Sequence, residues 1–371
     1  GMSTNSSGIR VIDLSGSSYD IGRQHGEILK DDIRDFYDSV WEIHKANNPR
    51  LKAGSSELVS FCGRNIGFIK AYSAELFEEL QGIADGSGLS IEQIIYLNSF
   101  LELEDLRAPG VGGRLLSRDL WGCTSFNVLP ESSAEKKGFI GQTFDMEKYY
   151  GRFNVMLRIT PKSGPKIIVY SFAGVLGLNG MNSKRIGAVI NKVVATDAAP
   201  GVIFPVIIRR LLAQERIGDA LGTAIFAPRA SGIVYQLADN NGVAFCAETS
   251  ASHYELLPFS GAIAHTNHYV RAFMRELETP GWLTHGGSFV RYQVANRRLQ
   301  ANLGKIDMEL LMKLTKDHTN YPRSICAHGS KGEDEKVAFH TVAAMIMDLS
   351  ESCLWVCHGN PCENDYKKVT F

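Results

Sequence analysis

The chain lacks an excess of either charge sign, a long apolar run and a secretion signal. Its 371 residues carry 39 Lys and Arg against 40 Asp and Glu, so gross charge does not predict nucleic acid or an anionic membrane as a partner. No stretch approaches the roughly 20 apolar residues of a membrane span, and the start, Met2 to Gly8, has no basic and apolar signal region. We therefore expect a cytoplasmic globular protein with neither nucleic-acid nor membrane partners.

The sequence also lacks the usual signs of a disulfide framework, a zinc site or a phosphate loop. Seven cysteines, an odd number, are spread from Cys62 to Cys362, which favours free thiols over bridges. Cys353, Cys357, His358 and Cys362 lie close together near the C-terminus, but their spacing matches none of the usual zinc motifs. Glycine-rich phosphate-binding motifs are missing. We predict no metal and no cofactor.

Hydrophobic periodicity divides the chain near residue 122. Before it, apolar residues recur at helical steps, as between Ile21 and His44 and between Leu58 and Ile83. After it, strand-like segments and helical segments alternate. This order predicts an α+β fold, a four-layer αββα sandwich of two antiparallel sheets with a helical N-terminal region. A doubly wound parallel sheet is the alternative.

Local signals sharpen this prediction. Ser90 to Gln93 is typical of a helix-capping box, Asp85 to Gly88 of a helix end, and Asn179-Gly180 of a hairpin turn. We interpret residues 1–122 as a helical segment and residues 123–371 as the αββα core, together one structural domain.

The most informative position is the junction between Gly122 and Cys123. The thiol of Cys123 can attack the carbonyl of Gly122, because glycine adds no side-chain bulk and tolerates a strained backbone. Cutting this bond would free an α-amine, which titrates at about 7.7–8.0 and suits a general base. A buried cysteine that only packs is the alternative explanation.

Further polar residues are candidates for the same site. Asp145 ends a strand-like segment, and its carboxylate is predicted to accept hydrogen bonds from the freed amine of Cys123. Asn267 is predicted to donate to a developing oxyanion, with an Asx turn as the alternative. The hydroxyls of Thr124 and Ser125 are candidates for holding the tetrahedral state.

Eight short segments, in order along nearly the whole chain, carry a family resemblance. They are Gly22–Gly26, Gly122–Ser125, Gly141–Asp145, Gly180–Asn182, His265–His268, Asp317–His318, Ser324–Cys326 and Gly359–Cys362. Together they resemble the acyl-coenzyme A:isopenicillin N acyltransferase family, peptidase family C45.

That resemblance implies an N-terminal-nucleophile hydrolase, made as a precursor that cleaves itself before Cys123. It implies Cys123 as nucleophile, Asp145 as the residue that orients the amine, and Asn267 as oxyanion donor. Asn191 resembles a second oxyanion asparagine of the related penicillin V acylases and bile salt hydrolases.

The chain departs from the family pattern at two positions. Ala327 follows Ser-Ile-Cys where the family tends to have arginine, so a substrate-binding guanidinium would have to come from elsewhere, with Arg291 and Arg323 as candidates. Met146 follows Asp145 where an aromatic residue is common, which puts a penicillin substrate in doubt.

The sequence thus predicts an autoprocessing cysteine amidohydrolase or N-acyltransferase that works through an acyl-Cys123 intermediate. The predicted substrate is a small amide or an acyl thioester, with acyl-coenzyme A as one candidate donor, and the fragments 1–122 and 123–371 are each other's partners. The alternatives are a non-catalytic binding protein that retains the fold and a Cys/His-dyad hydrolase without self-cleavage. His265, His268, His318 and His328 are candidates for the base of such a dyad or for metal ligands, with a structural role as the alternative.

Overall fold

A computed structural model describes residues 8–47, 56–107, 122–334 and 338–371. The loop predicted from Pro109 to Asp119 lies outside these ranges. Among the described helices, none combines the length and the apolar character that a membrane crossing requires.

Two β-sheets form the centre of the molecule. The strands are β1 (Arg10–Gly16), β2 (Gly122–Val128), β3 (Phe139–Glu147), β4 (Asn154–Pro161), β5 (Ile167–Phe172), β6 (Asn179–Asn182), β7 (Gly187–Lys192), β8 (Ile233–Ala238), β9 (Ala244–Thr249), β10 (Tyr254–Leu256), β11 (Ala262–His265), β12 (Phe339–Asp348), β13 (Cys353–His358) and β14 (Tyr366–Thr370). One sheet has the order β1-β4-β5-β6-β7-β8-β9-β10, and the other has the order β11-β2-β3-β12-β13-β14. All the paired strands run antiparallel except β1 and β4, which are parallel.

Helices cover the outer faces of both sheets. They are α1 (Ser18–Ile28), α2 (Lys30–Asn47), α3 (Ser56–Gly63), α4 (Ile66–Tyr72), α5 (Ala74–Ser87), α6 (Ile91–Asn98), α7 (Phe204–Leu212), α8 (Ile217–Ile225), α9 (Ala272–Leu277), α10 (Gly287–Ala301) and α11 (Met308–Thr315). Helices α1, α7 and α8 contact the eight-stranded sheet, whereas α10 and α11 contact the six-stranded sheet. The two sheets meet where β2 and β3 pack on β7 and β8. The predicted four-layer αββα sandwich with helices in the N-terminal region is therefore confirmed.

The helix predictions were right in kind but too long. Both long periodic stretches are interrupted, the first at Leu29 and the second at Asn65 and Ser73. Ser73 interrupts because its side chain accepts a hydrogen bond from the Leu76 backbone and so caps a new helix. The capping box at Ser90 is present, and Gly88 ends α5 in the left-handed conformation, with φ of 77°.

Two strand predictions need correction. Residues 10–16 form β1, which pairs with β4, so the N-terminal segment is not only helical and one strand pair is parallel. Asn179-Gly180 is not a hairpin turn but the start of β6, and the chain turns at residues 183–185 instead. Gly180 is needed for close packing, because a Cβ there would lie 2.2 Å from the carbonyl oxygen of Ile168.

The pairing of β2 with β3 places the candidate junction. Gly122 lies opposite Asp145, and Cys123 lies opposite Phe144. Side chains alternate between the two faces of a strand, and Ser125 contacts β7 and β8 of the facing sheet. The side chain of Cys123 therefore points into the space between the two sheets.

Candidate functional site

Cys123 lies at the start of β2 and is buried, with only 1% of its surface exposed. In the intact chain the thiol packs within the apolar core that the two sheets share. Burial and the nearby carboxylate of Asp145 raise the pKa of the Cys123 thiol to about 12, although the Arg291 guanidinium opposes them. The thiol is therefore protonated near neutral pH, and a nearby base must take its proton before it can attack a carbonyl.

Three side chains hold the main chain of Cys123. Its backbone N–H donates to Oδ1 of Asn267 at 2.8 Å. Its carbonyl oxygen accepts from Nδ2 of Asn191 at 2.9 Å and from Nη1 of Arg291 at 2.8 Å. These side chains come from the loop after β11, from β7 and from α10, so three separate elements fix the position of one residue.

The orientation of the Asn267 amide follows from its partners. Oδ1 accepts from two donors, the Cys123 N–H and Nη2 of Arg291, while Nδ2 donates to the carbonyl oxygen of Lys192 at 3.0 Å. Its own backbone N–H donates to Oγ of Ser288 at 2.8 Å. In the intact chain Asn267 therefore presents an acceptor to Cys123, whereas the sequence predicted a donor role.

Ser125 and Thr124 contact the residues that hold Cys123. The Ser125 hydroxyl donates to Oδ1 of Asn191 and accepts from Nε2 of Gln236 at 2.8 Å. Thr124 Oγ1 accepts from Nη1 of Arg291 at 3.2 Å. In this arrangement the two hydroxyls orient Asn191 and Arg291, because each bonds to one of those side chains.

Asp145 lies beside the junction itself. Its Oδ1 accepts from the Thr341 hydroxyl at 2.6 Å, and its Oδ2 has no hydrogen-bond partner among the described residues. A Cβ on Gly122 would lie 2.5 Å from this Oδ2 and 3.1 Å from the ring of Phe339. Only glycine therefore leaves room at position 122 for the free carboxylate oxygen.

The Asp145 carboxyl group is fully buried. Burial raises its pKa to about 7, although the Arg291 guanidinium and the Thr341 hydroxyl act in the opposite direction. A carboxylate with a pKa near neutrality can exchange a proton at working pH, which is the property expected of an acid or base in a reaction.

The two arginine candidates differ in placement. Arg291 is buried and contacts Cys123, Thr124 and Asn267, whereas Arg323 lies outside this group of contacts. Burial lowers the pKa of Arg291, while Asp145 and Cys123 oppose that effect. Ala327, which stands where the family tends to have arginine, contacts the site through its backbone. Its N–H donates to the Thr341 hydroxyl at 2.8 Å.

The histidines near Asn267 are engaged elsewhere. Both ring nitrogens of His265 are occupied, one by Oε2 of Glu248 at 2.8 Å and the other by the Thr266 carbonyl oxygen at 2.9 Å. His268 bonds to Oγ of Ser288 at 2.7 Å. Within the described ranges neither one bonds to Cys123, so the geometry does not favour a Cys/His dyad with them.

Thr341 is a site residue that sequence reasoning missed. It lies 196 residues after Asp145, on the neighbouring strand β12, and links that carboxylate to the backbone of Ala327. No motif marked it, because a threonine in a strand is common and only strand pairing brings it to Asp145.

The structure thus combines two stacked sheets, helices on their outer faces and polar side chains that hold Cys123 between the sheets. The chain belongs to the family described as acyl-coenzyme A:6-aminopenicillanic acid acyl-transferase, whose model matches residues 133–363. The family resemblance seen in the sequence is thereby confirmed.

Two curated relatives match most of the chain. The 40 kDa form of acyl-coenzyme A:6-aminopenicillanic-acid-acyltransferase from Emericella nidulans is 23% identical over 332 residues, covering 87% of this chain and 85% of that protein. Protein dcd1A from Dictyostelium discoideum is 24% identical over 346 residues, covering 82% of this chain and 72% of that protein. Among solved structures, a mutant of the conjugated bile acid hydrolase from Clostridium perfringens aligns with a TM-score of 0.43 and 11% identity, covering 67% of this chain and 97% of that chain.

Proposed function

We propose that this protein cleaves itself between Gly122 and Cys123 and then works as an N-terminal cysteine amidohydrolase or N-acyltransferase. One observation carries the proposal: Asn267, Asn191 and Arg291 hold the nitrogen and the carbonyl oxygen of Cys123. None of these hydrogen bonds depends on the bond to Gly122. Cys123 would therefore keep its place as a new chain terminus.

Self-cleavage begins with transfer of the thiol proton to a base. Asp145 suits this step, because its free Oδ2 lies against Gly122 and its pKa of about 7 lets it accept a proton near neutrality. The sulfur attacks the Gly122 carbonyl carbon, the C–N bond breaks, and the nitrogen of Cys123 leaves as an amine after taking up a proton. Water then hydrolyses the Gly122 thioester, which leaves a Gly122 carboxylate and a free Cys123 thiol.

The freed amine then becomes the base for substrate. Asn267 Oδ1 already accepts from the same nitrogen in the intact chain, and the ionised Asp145 carboxylate is the predicted partner of the ammonium form. The amine takes the thiol proton, the sulfur attacks the acyl carbon of the substrate, and an acyl thioester forms on Cys123. Water or an amine then releases the acyl group.

The substrate class follows from this chemistry and from the family. A cysteine nucleophile with a neutral-pH base suits small amides and acyl thioesters, and the family's name points to an acyl-coenzyme A as donor. Transfer to an amine makes the protein an N-acyltransferase, and transfer to water makes it an amidohydrolase. Met146 and Ala327 set it apart from the family pattern at two positions.

Denaturing mass spectrometry of the purified full chain tests the self-cleavage. We expect two masses, those of 1–122 and 123–371, and only the intact mass from Cys123→Ala. A wild-type chain that stays whole would contradict self-cleavage and leave the two alternatives, a binding protein that retains the fold and a hydrolase without self-cleavage.

Trapping tests the catalytic step separately. After incubation with a short-chain acyl-coenzyme A and rapid acid quenching, the 123–371 fragment should gain the mass of one acyl group on Cys123. A cleaved protein that gains no acyl mass from acyl thioesters or activated amides would retain the processing proposal and contradict the enzymatic one.

A further inference from the structure

Two cysteines and two histidines converge at one end of the six-stranded sheet. His318, Cys326 and His328 lie between α11 and β12, and Cys362 lies in the connection from β13 to β14. One ligand atom from each of the four lies within 4.8 Å of every other. The sequence did not reveal this group, because the first three residues lie more than thirty positions before the fourth.

The distances among Cys326, His328 and Cys362 fit a tetrahedral metal centre, and the ligand atom of His318 lies within 4.8 Å of each of theirs. The two thiol sulfurs are 3.5 Å apart, and Nε2 of His328 lies 3.5 Å from the sulfur of Cys326 and 3.3 Å from that of Cys362. Ligands at about 2.3 Å for sulfur and about 2.0 Å for nitrogen occupy tetrahedral corners about 3.3–3.8 Å apart. Two thiolates and two imidazoles form a donor set that binds zinc in preference to hard cations such as Mg²⁺ and Ca²⁺.

Neighbouring residues already hold Cys326 in position. The Cys326 N–H donates to the Asp317 carbonyl oxygen at 3.0 Å, which ties the residue before His318 to the second ligand. Nδ2 of Asn360 donates to the Cys326 sulfur at 3.4 Å and to the Ala327 carbonyl oxygen at 2.7 Å. Donors to a ligand sulfur are the usual outer partners of a thiolate–metal centre.

We propose that His318, Cys326, His328 and Cys362 bind one Zn²⁺ in a closed structural site. Four protein ligands leave no open coordination position, so the ion acts as a clamp between the α11–β12 connection and the β13–β14 connection. This inference replaces the expectation of no metal that the spacing of Cys353, Cys357, His358 and Cys362 suggested. Of those four residues, only Cys362 belongs to the cluster.

The clamp lies next to the backbone that supports Asp145. Ala327 stands between the ligands Cys326 and His328, and it exchanges two hydrogen bonds with Thr341, through its N–H to the hydroxyl and through its carbonyl oxygen to the Thr341 N–H. The same hydroxyl donates to Asp145. Fixing the ligand loop therefore also fixes the hydroxyl that orients the carboxylate.

Elemental analysis of the full chain tests the site without reference to activity. Protein purified without chelators and dialysed against metal-free buffer should hold about one zinc per chain. Cys362→Ser should lose it, and because Cys362 is exposed the variant should still fold. Cys353→Ser is the matched control, since that thiol lies outside the cluster and should leave the zinc content unchanged.

A second measurement uses zinc affinity. Competition with a chromogenic chelator should show that Asn360→Ala, which removes the donor to Cys326, binds zinc about 10–100-fold more weakly than the wild type. Absence of zinc from the wild type after dialysis against stoichiometric Zn²⁺, or full zinc content in Cys362→Ser, overturns the proposal. So does a Cys326–Cys362 disulfide in the freshly purified wild type, detected as a mass two hydrogens lower.

Discussion

Three side chains fix the main chain of Cys123 in the intact chain. Asn267 accepts from its nitrogen, and Asn191 and Arg291 donate to its oxygen, while the thiol itself stays buried and protonated. In the proposed mechanism, holding Cys123 through its backbone would leave the side chain free to move from the upstream carbonyl to a substrate. Such fixed geometry would lower the entropic cost of both proposed reactions.

Substitution of Cys123 tests its role as nucleophile. Cys123→Ala should remain a folded single chain without activity, and Cys123→Ser should cleave slowly, because a hydroxyl is a poorer nucleophile than a thiol near neutral pH. Electrophoresis and mass spectrometry over time report the cleaved fraction. An alanine variant that is processed at the same bond would remove Cys123 from the mechanism.

The buried Asp145 makes the stability of the uncleaved chain depend on pH. Its pKa is about 7 when folded and about 3.9 when unfolded, so the folded state binds more protons in between. The stability it contributes is complete below about pH 4 and is lost as the pH rises through about 7.

Comparison of Cys123→Ala with Cys123→Ala/Asp145→Asn isolates this effect. The double variant keeps the shape but cannot ionise, so its stability advantage should grow by about 2–3 kcal/mol between about pH 5 and about pH 8. Urea unfolding at the two pH values measures the difference. A constant difference would mean that Asp145 keeps an ordinary pKa in the intact chain.

Asn267 should matter for turnover more than for folding. If its amide donates to the oxyanion in the processed enzyme, Asn267→Ala should lower kcat by about 10²–10³-fold with a smaller change in KM. Each variant should be made with residue 123 exposed by an engineered protease site, so that processing does not confuse the assay. Asn302→Ala is a control, because Asn302 caps α10 away from Cys123, and equal rates in the two variants would remove Asn267 from the site.

At the scale of elements, the register of β2 against β3 brings the junction and its carboxylate together. Gly122 and Asp145 are direct partners across an antiparallel pair. Side chains of such partners lie close together, and the absence of a side chain on Gly122 is what admits the free oxygen of Asp145. The pairing of β2 with β3 thus positions the Asp145 carboxylate beside Gly122, in addition to forming part of the core.

Gly122→Ala tests this arrangement. The new Cβ would lie 2.5 Å from Oδ2 of Asp145 and 3.1 Å from the ring of Phe339, and the Asp145 side chain is fully buried. We expect the cleaved fraction at a fixed time to fall at least about tenfold, since a small misplacement of reacting groups costs rates of this order. Gly67→Ala, where a Cβ meets nothing within 4 Å, should process normally, and equal processing of both variants would contradict the argument.

At the scale of the whole molecule, the two predicted fragments share one folded structure. Strand β1 pairs with β4 along seven register positions. Buried ion pairs join Glu79 to Arg209 and Asp105 to Lys192. Because each pair crosses the junction, its contacts do not need the peptide bond between Gly122 and Cys123.

We therefore expect the fragments 1–122 and 123–371 to stay associated after cleavage. Native mass spectrometry should show one complex with the summed mass, and denaturing conditions should release two chains. Because buried charges would be left unpaired on separation, size-exclusion chromatography at high salt should also show a single species. Elution of the larger fragment alone under native conditions would contradict this prediction.

The local features of the fold follow from short stretches of the amino-acid sequence. The capping box at Ser90 and the left-handed Gly88 follow from side chains and backbone preferences within a few residues. The change of hydrophobic period after residue 122 indicated helices followed by mixed strands and helices, because each period exposes one face that must be buried, but it left a doubly wound parallel sheet open as the alternative to the αββα sandwich. The ordered motifs were enough to identify the family.

Other features depend on contacts between residues that are distant in the sequence. Asn179-Gly180 lies in strand β6 and is not the expected turn. A glycine is required at position 180 because the backbone of β5 packs too closely there for a Cβ. Thr341 lies at the site because it bonds to Asp145 across neighbouring strands. The side-chain oxygen of Asn267 faces the backbone N–H of Cys123. The metal-ligand cluster is formed by residues from two separate connections, His318, Cys326, His328 and Cys362. Sequence spacing carries no information about these contacts, because only the packing of sheets and loops sets which side chains meet.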